Sequence, residues 1–445
     1  MIDVSTLSDL GNAGVSAKVD RATYLTQLLN LRSPLTDASG WLQPVRDRAT
    51  ARVQELAIPS TRDEEWRFTD LSSLLAIELK AIAGQPSAIE QTAIAPFFLP
   101  EAVTRLVFVD GFYVPELSAI ANLPANVFVG DLVAAEQAGL KDSMLTHLAT
   151  QPGHEETFTA LNTASFTDAA VIFIPKNQVV ETPIHLLFVS TQGQAAALTQ
   201  PRCLVVVEAN SRVTLVEDYI AVDDSVYFTN AVTEIWLEAN AEVQHTRVQR
   251  DSKAAFHIGK TAVSQARDSR YTCNAIHFGA ALSRHHLEIY QIGEQTETSL
   301  YGLSYIAGGQ VADTHSLISY TRPHGRSNQV HKCIVDDKAH AVFNGKIFVP
   351  QLAQLTDARQ LSKNLLLSEK ARVDTKPQLE ITADNVKCAH GATVSQLEND
   401  EIFYLQSRGI NQAQAVKLLT YAFAYEVIDQ IAIASLRDQL LQYVT

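Results

Sequence analysis

Hydrophobic and polar positions change their period along this chain, and the changes divide it into three parts. The first ninety residues carry helical spacing. Over residues 22–32, Tyr24, Leu25, Leu28, Leu29 and Leu31 recur on one face, and Pro34 closes the segment. Residues 37–56 continue in the same style until Pro59-Ser60 breaks it, and Ser60 or Thr61 is placed to cap the acidic turn Asp63-Glu64-Glu65. Near residue 105 the period shortens. Leu106 to Val109 and Phe112 to Val114 are apolar runs around Asp110-Gly111, a pair suited to the positive φ of a tight hairpin turn. Residues 131–165 return to a helical, Ala- and Leu-rich pattern.

From about residue 166 to residue 385 helical periodicity disappears. Short β-branched runs take over, at residues 170–174, 184–189, 204–207, 213–216 and 235–237, with polar turns between them. One turn echoes. Glu208-Ala209-Asn210-Ser211-Arg212-Val213 returns 30 positions later as Glu238-Ala239-Asn240-Ala241-Glu242-Val243, and Asp268-Ser269-Arg270-Tyr271 is a looser match 28 positions on. Short strands at that period predict stacked coils of a β-solenoid, although a regular sandwich gives a similar string. The last fifty residues are helical again: one helix ends at Arg408-Gly409, Asn411 with Gln414 makes a capping box, and Leu436 to Tyr443 finishes the chain. The expected organisation is a mostly helical N-terminal domain with a hairpin over residues 1–165, a β core over 166–392, and a helical C-terminal domain over 393–445.

Composition narrows the function classes. Of 445 residues 46% are apolar, enough for a sizeable core, and 35 basic against 49 acidic residues leave a net charge of −14. That balance speaks against nucleic acid or an anionic membrane as partner. Met1-Ile2-Asp3-Val4-Ser5 does not open a signal peptide, and no apolar run approaches a membrane span, so a cytoplasmic setting is expected. The four cysteines, Cys203, Cys273, Cys333 and Cys388, form no CxxC pair and are expected to be free thiols.

Most candidate motifs have a plain reading. Gly259-Lys260-Thr261 looks like the tail of a phosphate-binding loop, but Ala254 stands where the first glycine belongs and the segment lies among strands. Among thirteen histidines no His-Glu-x-x-His occurs, and His285-His286 on a strand would face opposite ways, so surface or hydrogen-bonded histidines lining coil edges are expected. Asp223-Asp224 and Asp336-Asp337 read as solvated turns rather than a glycosidase pair. The end of the β region differs. Val386 to His390 reads as a last strand, on which Cys388 and His390 share a face with Cα atoms about 6.5–7 Å apart. A thiolate and an imidazole side by side suit a soft or borderline metal, and two ligands require a partner to supply the rest. A buried cysteine beside a solvated histidine is the other reading of the same residues.

Lys387-Cys388-Ala389-His390-Gly391-Ala392-Thr393, running into Glu401-Ile402-Phe403-Tyr404-Leu405-Gln406-Ser407-Arg408-Gly409-Ile410, resembles the C-terminal signature of the SufB/SufD family, scaffold components of the SUF iron–sulphur cluster assembly machinery. Thr356 to Gln360, Asn364 to Ser368, Val373 to Ile381, Asp63 to Leu71 and Val109-Asp110-Gly111 are similar to other motifs of the family. The Lys-Cys-x-His-Gly pattern resembles the SufD branch; the SufB branch carries Glu-His-Glu-Ala there.

The resemblance implies a right-handed parallel β-helix between helical terminal domains. It also implies a non-enzymatic scaffold that pairs with SufB and holds the SufC ATPase on the helices between Leu397 and Tyr443. In such complexes the residues matching His390 and, less firmly, Cys388 lie at the SufB–SufD interface, where a transient iron–sulphur cluster or iron is shared. A reduced flavin accompanies some of these complexes, and this sequence gives it no position. A homodimer of the isolated chain stays open. The alternative from the residues alone is a β-helical polysaccharide-active enzyme, which a chain without a signal peptide and with a capped helical end suits poorly.

Overall fold

A computed structural model of the chain describes residues 20–33, 40–82, 86–191 and 196–444. Its centre is a parallel β-solenoid of about seven turns, with helices at both ends. Successive strands alternate between two sheets, so each turn adds one strand to each. One runs from the hairpin Thr104–Val109 and Phe112–Tyr113 through Ile184–Ser190, Arg212–Ala221, Glu242–Arg250, Arg270–His277, Glu297–Ile306, Arg326–Val335 and Asp357–Leu366 to Lys387–Gln396. The other runs from Phe128–Gly130 through Ala170–Ile174, Arg202–Val207, Tyr227–Leu237, Phe256–Gln265, Leu282–Gln291, Val311–Tyr320 and His340–Val349 to Arg372–Ile381.

The echo in the sequence marks the turns. Asn210, Asn240 and Asp268 each adopt a left-handed backbone, with φ of 60°, 58° and 60°. Asparagine and aspartate tolerate that region because a short polar side chain can bond locally. The side chains also form a ladder: Asn240 Nδ2 donates to Asn210 Oδ1 at 3.0 Å, and Asn210 Nδ2 to Asn177 Oδ1 at 2.9 Å.

Asp110-Gly111 makes the hairpin turn at φ 52° and 89°. The strand before it then does something its local pattern cannot announce. Thr104–Val109 pairs in parallel with Ile184–Ser190, so the first stacked strand comes from the segment before residue 166. At the other end Lys387–Gln396 runs four residues past 392, kept in register by Asp357–Leu366.

Inside, one half of the cross-section is apolar. Ile235, Val263, Ile289, Ile318 and Ile347 stack in register, all fully buried. Burying such a side chain contributes about 1.5–3 kcal/mol, so this ladder is a main source of stability. The helix predicted over residues 22–32 is Arg21–Asn30, capped by Asp20, which accepts from Thr23 N–H at 2.8 Å. The one predicted over 37–56 is Gln43–Gln54; Pro34 and residues 37–39 lie outside the described residues. The acidic turn Glu64–Trp66 has no side-chain cap, contrary to expectation. Asp63 accepts from the Ser60 N–H and hydroxyl at 2.7 and 3.1 Å, because the carboxylate is the stronger acceptor.

The N-terminal helices pack on the outer face of the second sheet, where Leu25, Leu28 and Leu161 meet Phe228 and Ile258. Ion pairs rim this seam: Lys376–Glu64 at 2.9 Å, His315–Glu65 at 3.1 Å, and Lys260 at 3.0 and 2.8 Å from Glu156 and Glu288. Burial pushes the Glu156 carboxyl up, but His286 and Lys260 outweigh it and hold it at about 2; a hydrogen bond from His315 likewise holds Glu65 below the usual carboxylate range. Because folding lowers both values, their contribution is complete above about 4.5 and is lost as pH falls towards 2. Acid should therefore loosen the seam first. Trp66, stacked under Arg284 at 3.9 Å, reports it: with Trp41 and Trp236 replaced by Phe, its fluorescence should change within that window. In Glu156→Gln the change should shrink, and a flat wild-type signal there would contradict the assignment.

The C-terminal helices Gln412–Ile428 and Ala434–Leu441 cover the first sheet, with Val427, Ile428, Leu436 and Leu440 packed on Val248, Ile276 and Leu303. They are part of the solenoid's covering rather than a detachable unit. Asn411 caps the first of them by accepting from Gln414 N–H at 2.9 Å, as its sequence predicts.

Candidate functional site

The solenoid ends at an open turn. Among the described residues no strand pairs with the outer edge of Arg372–Ile381 or of Lys387–Gln396. Lys387 N–H donates to the Thr356 carbonyl at 2.8 Å, and Leu355 N–H to the Asn385 carbonyl at 2.7 Å, which fixes the start of the last strand. In that register Cys388 lies beside Ala358 and His390 beside Gln360. Ala358 and Gln360 are fully buried, so Cys388 and His390 continue the inward-facing column, one turn beyond its last covered layer. Lys387, on the alternate face, lies beside Asp357.

The two side chains differ in environment. Cys388 is half-buried against the apolar core, whereas His390 is exposed. Burial and the nearby Asp357 carboxylate push the Cys388 thiol up from its ordinary value. The thiol is therefore protonated at neutral pH, and a metal or a base must draw its proton before sulphur can bind. Gln360, directly beneath His390, donates through Nε2 to Gln329 Oε1 at 2.9 Å while its own Oε1 has no partner among the described residues. The end of the column thus offers an imidazole, a thiol and a free amide oxygen over an uncovered layer.

Other candidates resolve differently. Gly259-Lys260-Thr261 lies in the middle of Phe256–Gln265, and the Lys260 ammonium is held by Glu156 and Glu288. A strand cannot wrap a phosphate with its N–H groups, so the pure chain is expected to hydrolyse no ATP. Phosphate release that disappears in Lys260→Ala would show otherwise.

The histidines correct the sequence reading. His285 and His286 do face opposite ways, but His277, His285 and His331 are buried inside the solenoid rather than along coil edges. Helices cover part of the outside of both sheets, so many strand positions of either parity are buried and polarity no longer marks the solvent face. Sequence reasoning also did not single out Glu156 and Glu288. With His286 they form a group whose ligand atoms lie within 4.8 Å of one another, and Lys260 already supplies its positive charge. All four cysteines are free, three of them buried.

The helix Asn399–Ser407 is the second exposed feature at this end. It buries none of its side chains; Phe403 is 71% exposed and Tyr404 57%. Leu418 and Tyr425, on the following helix, are exposed as well.

Comparison with known proteins decides the family. The model described as "SUF system FeS cluster assembly, SufBD core domain" matches residues 188–423, and the one described as "SufBD protein N-terminal region" matches residues 23–186. The chain belongs to the SufBD family. A Synechocystis protein described as an iron–sulphur cluster assembly SufBD family protein is 49% identical over 411 residues, covering 90% of each chain. Protein ABCI7, chloroplastic, of Arabidopsis thaliana is 34% identical over 413 residues, 91% of this chain and 85% of its own. The iron–sulphur cluster assembly protein SufD of Escherichia coli is 32% identical over 400 residues, 88% of this chain and 91% of its own. Membership places this SufBD-family chain in iron–sulphur cluster assembly. Among its described residues no helix is long and apolar enough to cross a membrane.

Proposed function

We propose that this protein is a non-enzymatic scaffold subunit that works in the cytoplasm. Its open turn pairs with a SufB-type solenoid, its exposed C-terminal helix holds a SufC-type ATPase, and Cys388 with His390 form its half of a cluster-assembly site. The carrying observation is the uncovered end turn, with two ten-residue edge strands and Cys388 and His390 set on it. A long unpaired edge is a liability that proteins normally cap, and this one is left available for another chain. Two ligands are too few to hold a cluster, which makes the missing ligands the partner's contribution. The cluster, or the iron that precedes it, is cargo passing through the interface.

Support for the scaffold over a groove enzyme comes from the same geometry. Adjacent acids sit at turns: Asp337 accepts from Gly308 N–H at 3.0 Å, and Asp223 from Ser225 N–H at 2.9 Å. Asp223 holds its own turn and Asp337 ties its turn to the preceding coil. A reduced flavin would bind the assembled complex, and no residue here is assigned to it. Copurification with SufB and SufC, followed by anaerobic reconstitution with iron and sulphide, tests the proposal. A stoichiometric complex that gains cluster absorption is expected. A chain that stays a homodimer in the presence of both partners would refute the pairing.

A further inference from the structure

Half of the solenoid interior is polar, and the packing makes room for that polarity. In the first sheet Arg247, Ala275, Gly302 and His331 stack in register, the two small residues lying between the two large ones. Glycines clear space for the polar groups. A Cβ at Gly259 would fall 2.6 Å from Arg247 Nη2, one at Gly302 2.1 Å from His331 Nδ1, and one at Gly345 2.3 Å from Gln360 Nε2. A larger residue at any of the three would force these side chains to shift.

The same groups carry unused hydrogen-bonding capacity. Arg247 Nη1, His277 Nε2, His285 Nδ1, His331 Nε2 and Gln360 Oε1 are buried without a partner among the described residues. The His277 and His285 rings lie 5.5 Å apart, and the Arg247 charge acts on both. Burial keeps all three histidines neutral at physiological pH, with His331 down at about 3. A neutral imidazole offers one donor and one acceptor, so protein groups and a mobile small molecule can share it. Buried polar groups are almost always satisfied, and orphans spread over four turns need a partner small enough to reach each of them.

We propose that this half of the interior is a solvated lane for water-sized hydrogen-bonding solutes, running from Arg247 to the open turn at His390. At its inner end Arg247 donates to His257 and approaches Glu217, which pairs with His245 at 3.3 Å. Towards the outer end Ser316, Gln329 and Gln360 are linked by hydrogen bonds of 2.8 and 2.9 Å, and Ser362, next in register after His331, keeps the last covered layer small. The occupant is a molecule that can both donate and accept, because the row contains the guanidinium donor and the amide oxygen as well as the imidazoles.

Three measurements on the full chain test the lane. High-resolution diffraction should show ordered water bonded to Arg247 Nη1, His277 Nε2 and His285 Nδ1; a dry interior with these atoms paired to one another overturns the proposal. His277→Leu and His331→Leu should lower the denaturation midpoint, since each removes a satisfied polar group. In a dry interior the same changes remove an orphan and raise the midpoint. The direction of the lane is read from solvent exchange of imidazole N–H in protein labelled with ¹⁵N-histidine. Ser362→Leu, one turn from the open end, should slow exchange at His331 by an order of magnitude while leaving exposed His390 unchanged. Equal exchange at His331 in both proteins refutes a route through the open turn. If Ser362→Leu does not fold, Ser362→Val is the smaller plug, and the diffraction test on the wild-type chain stands by itself.

Discussion

His390→Ala should leave the complex with SufB and SufC assembled and yet sharply reduce cluster formation in cells. The side chain is exposed and neighbours Gln360 across the last strand pair, so its removal costs the fold little. On the proposed reading its value lies in chemistry. An imidazole at the open turn can bind iron, or take the proton from the thiol two residues away. Loss of a ligand or of the group that orients it typically costs about 10–100-fold in metal affinity or activity, and a fall of that size is expected here. Cys388→Ser should have the smaller effect. The Cys388 thiol is held protonated by burial and by Asp357, so unaided it contributes little, and other groups at the interface can hold the cargo. Activity of an iron–sulphur enzyme in cells lacking the native subunit, complemented by each variant, measures both. Wild-type activity with His390→Ala, in a complex that copurifies normally, would reduce this histidine to a surface residue and remove the site assignment.

Particular residues show what could be read from sequence. Asp110-Gly111 announced its turn because positive φ restricts the residues allowed there, and Asn210 and Asn240 announced the solenoid period for the same reason. Both signals are local. The parallel pairing of Thr104–Val109 with Ile184–Ser190 is not local: some seventy-five intervening residues leave no trace in either strand of which partner it will choose. The interior histidines were hidden for another reason. His277, His285 and His331 have neighbours such as Ile276, Arg284 and Lys332 that are themselves buried, so the in–out pattern that normally sorts polar from apolar positions is blurred. Cys388 and His390 were legible because a two-residue spacing on a strand fixes a shared face whatever the tertiary context. That the face is the solenoid's inner one, left uncovered at the last turn, required the structure.

The exposed helix Asn399–Ser407 gives the second large effect. Phe403→Asp combined with Tyr404→Asp should abolish capture of the ATPase and leave pairing with SufB intact. Both rings stand in solvent, so folding does not require them; the Tyr404 ring lies 5.3 Å from the Arg408 guanidinium, which also donates to its hydroxyl at 3.3 Å. Exposed aromatics, here with Leu418 exposed on the following helix, are the usual anchors of an interface. Two such anchors at about 2 kcal/mol each would weaken binding by roughly a thousandfold. Point variants are required because truncation is uninformative here. Removing residues 393–445 would also strip Val427, Ile428, Leu436 and Leu440 from the first sheet and bare Val248, Ile276 and Leu303. Loss of ATPase binding in that truncation could then follow from a damaged solenoid. In the double variant the unfolding midpoint should match that of the wild type, so a loss of pull-down locates the docking surface on this helix. If the ATPase is still retained at wild-type stoichiometry, the surface lies elsewhere and the exposed aromatics serve another contact.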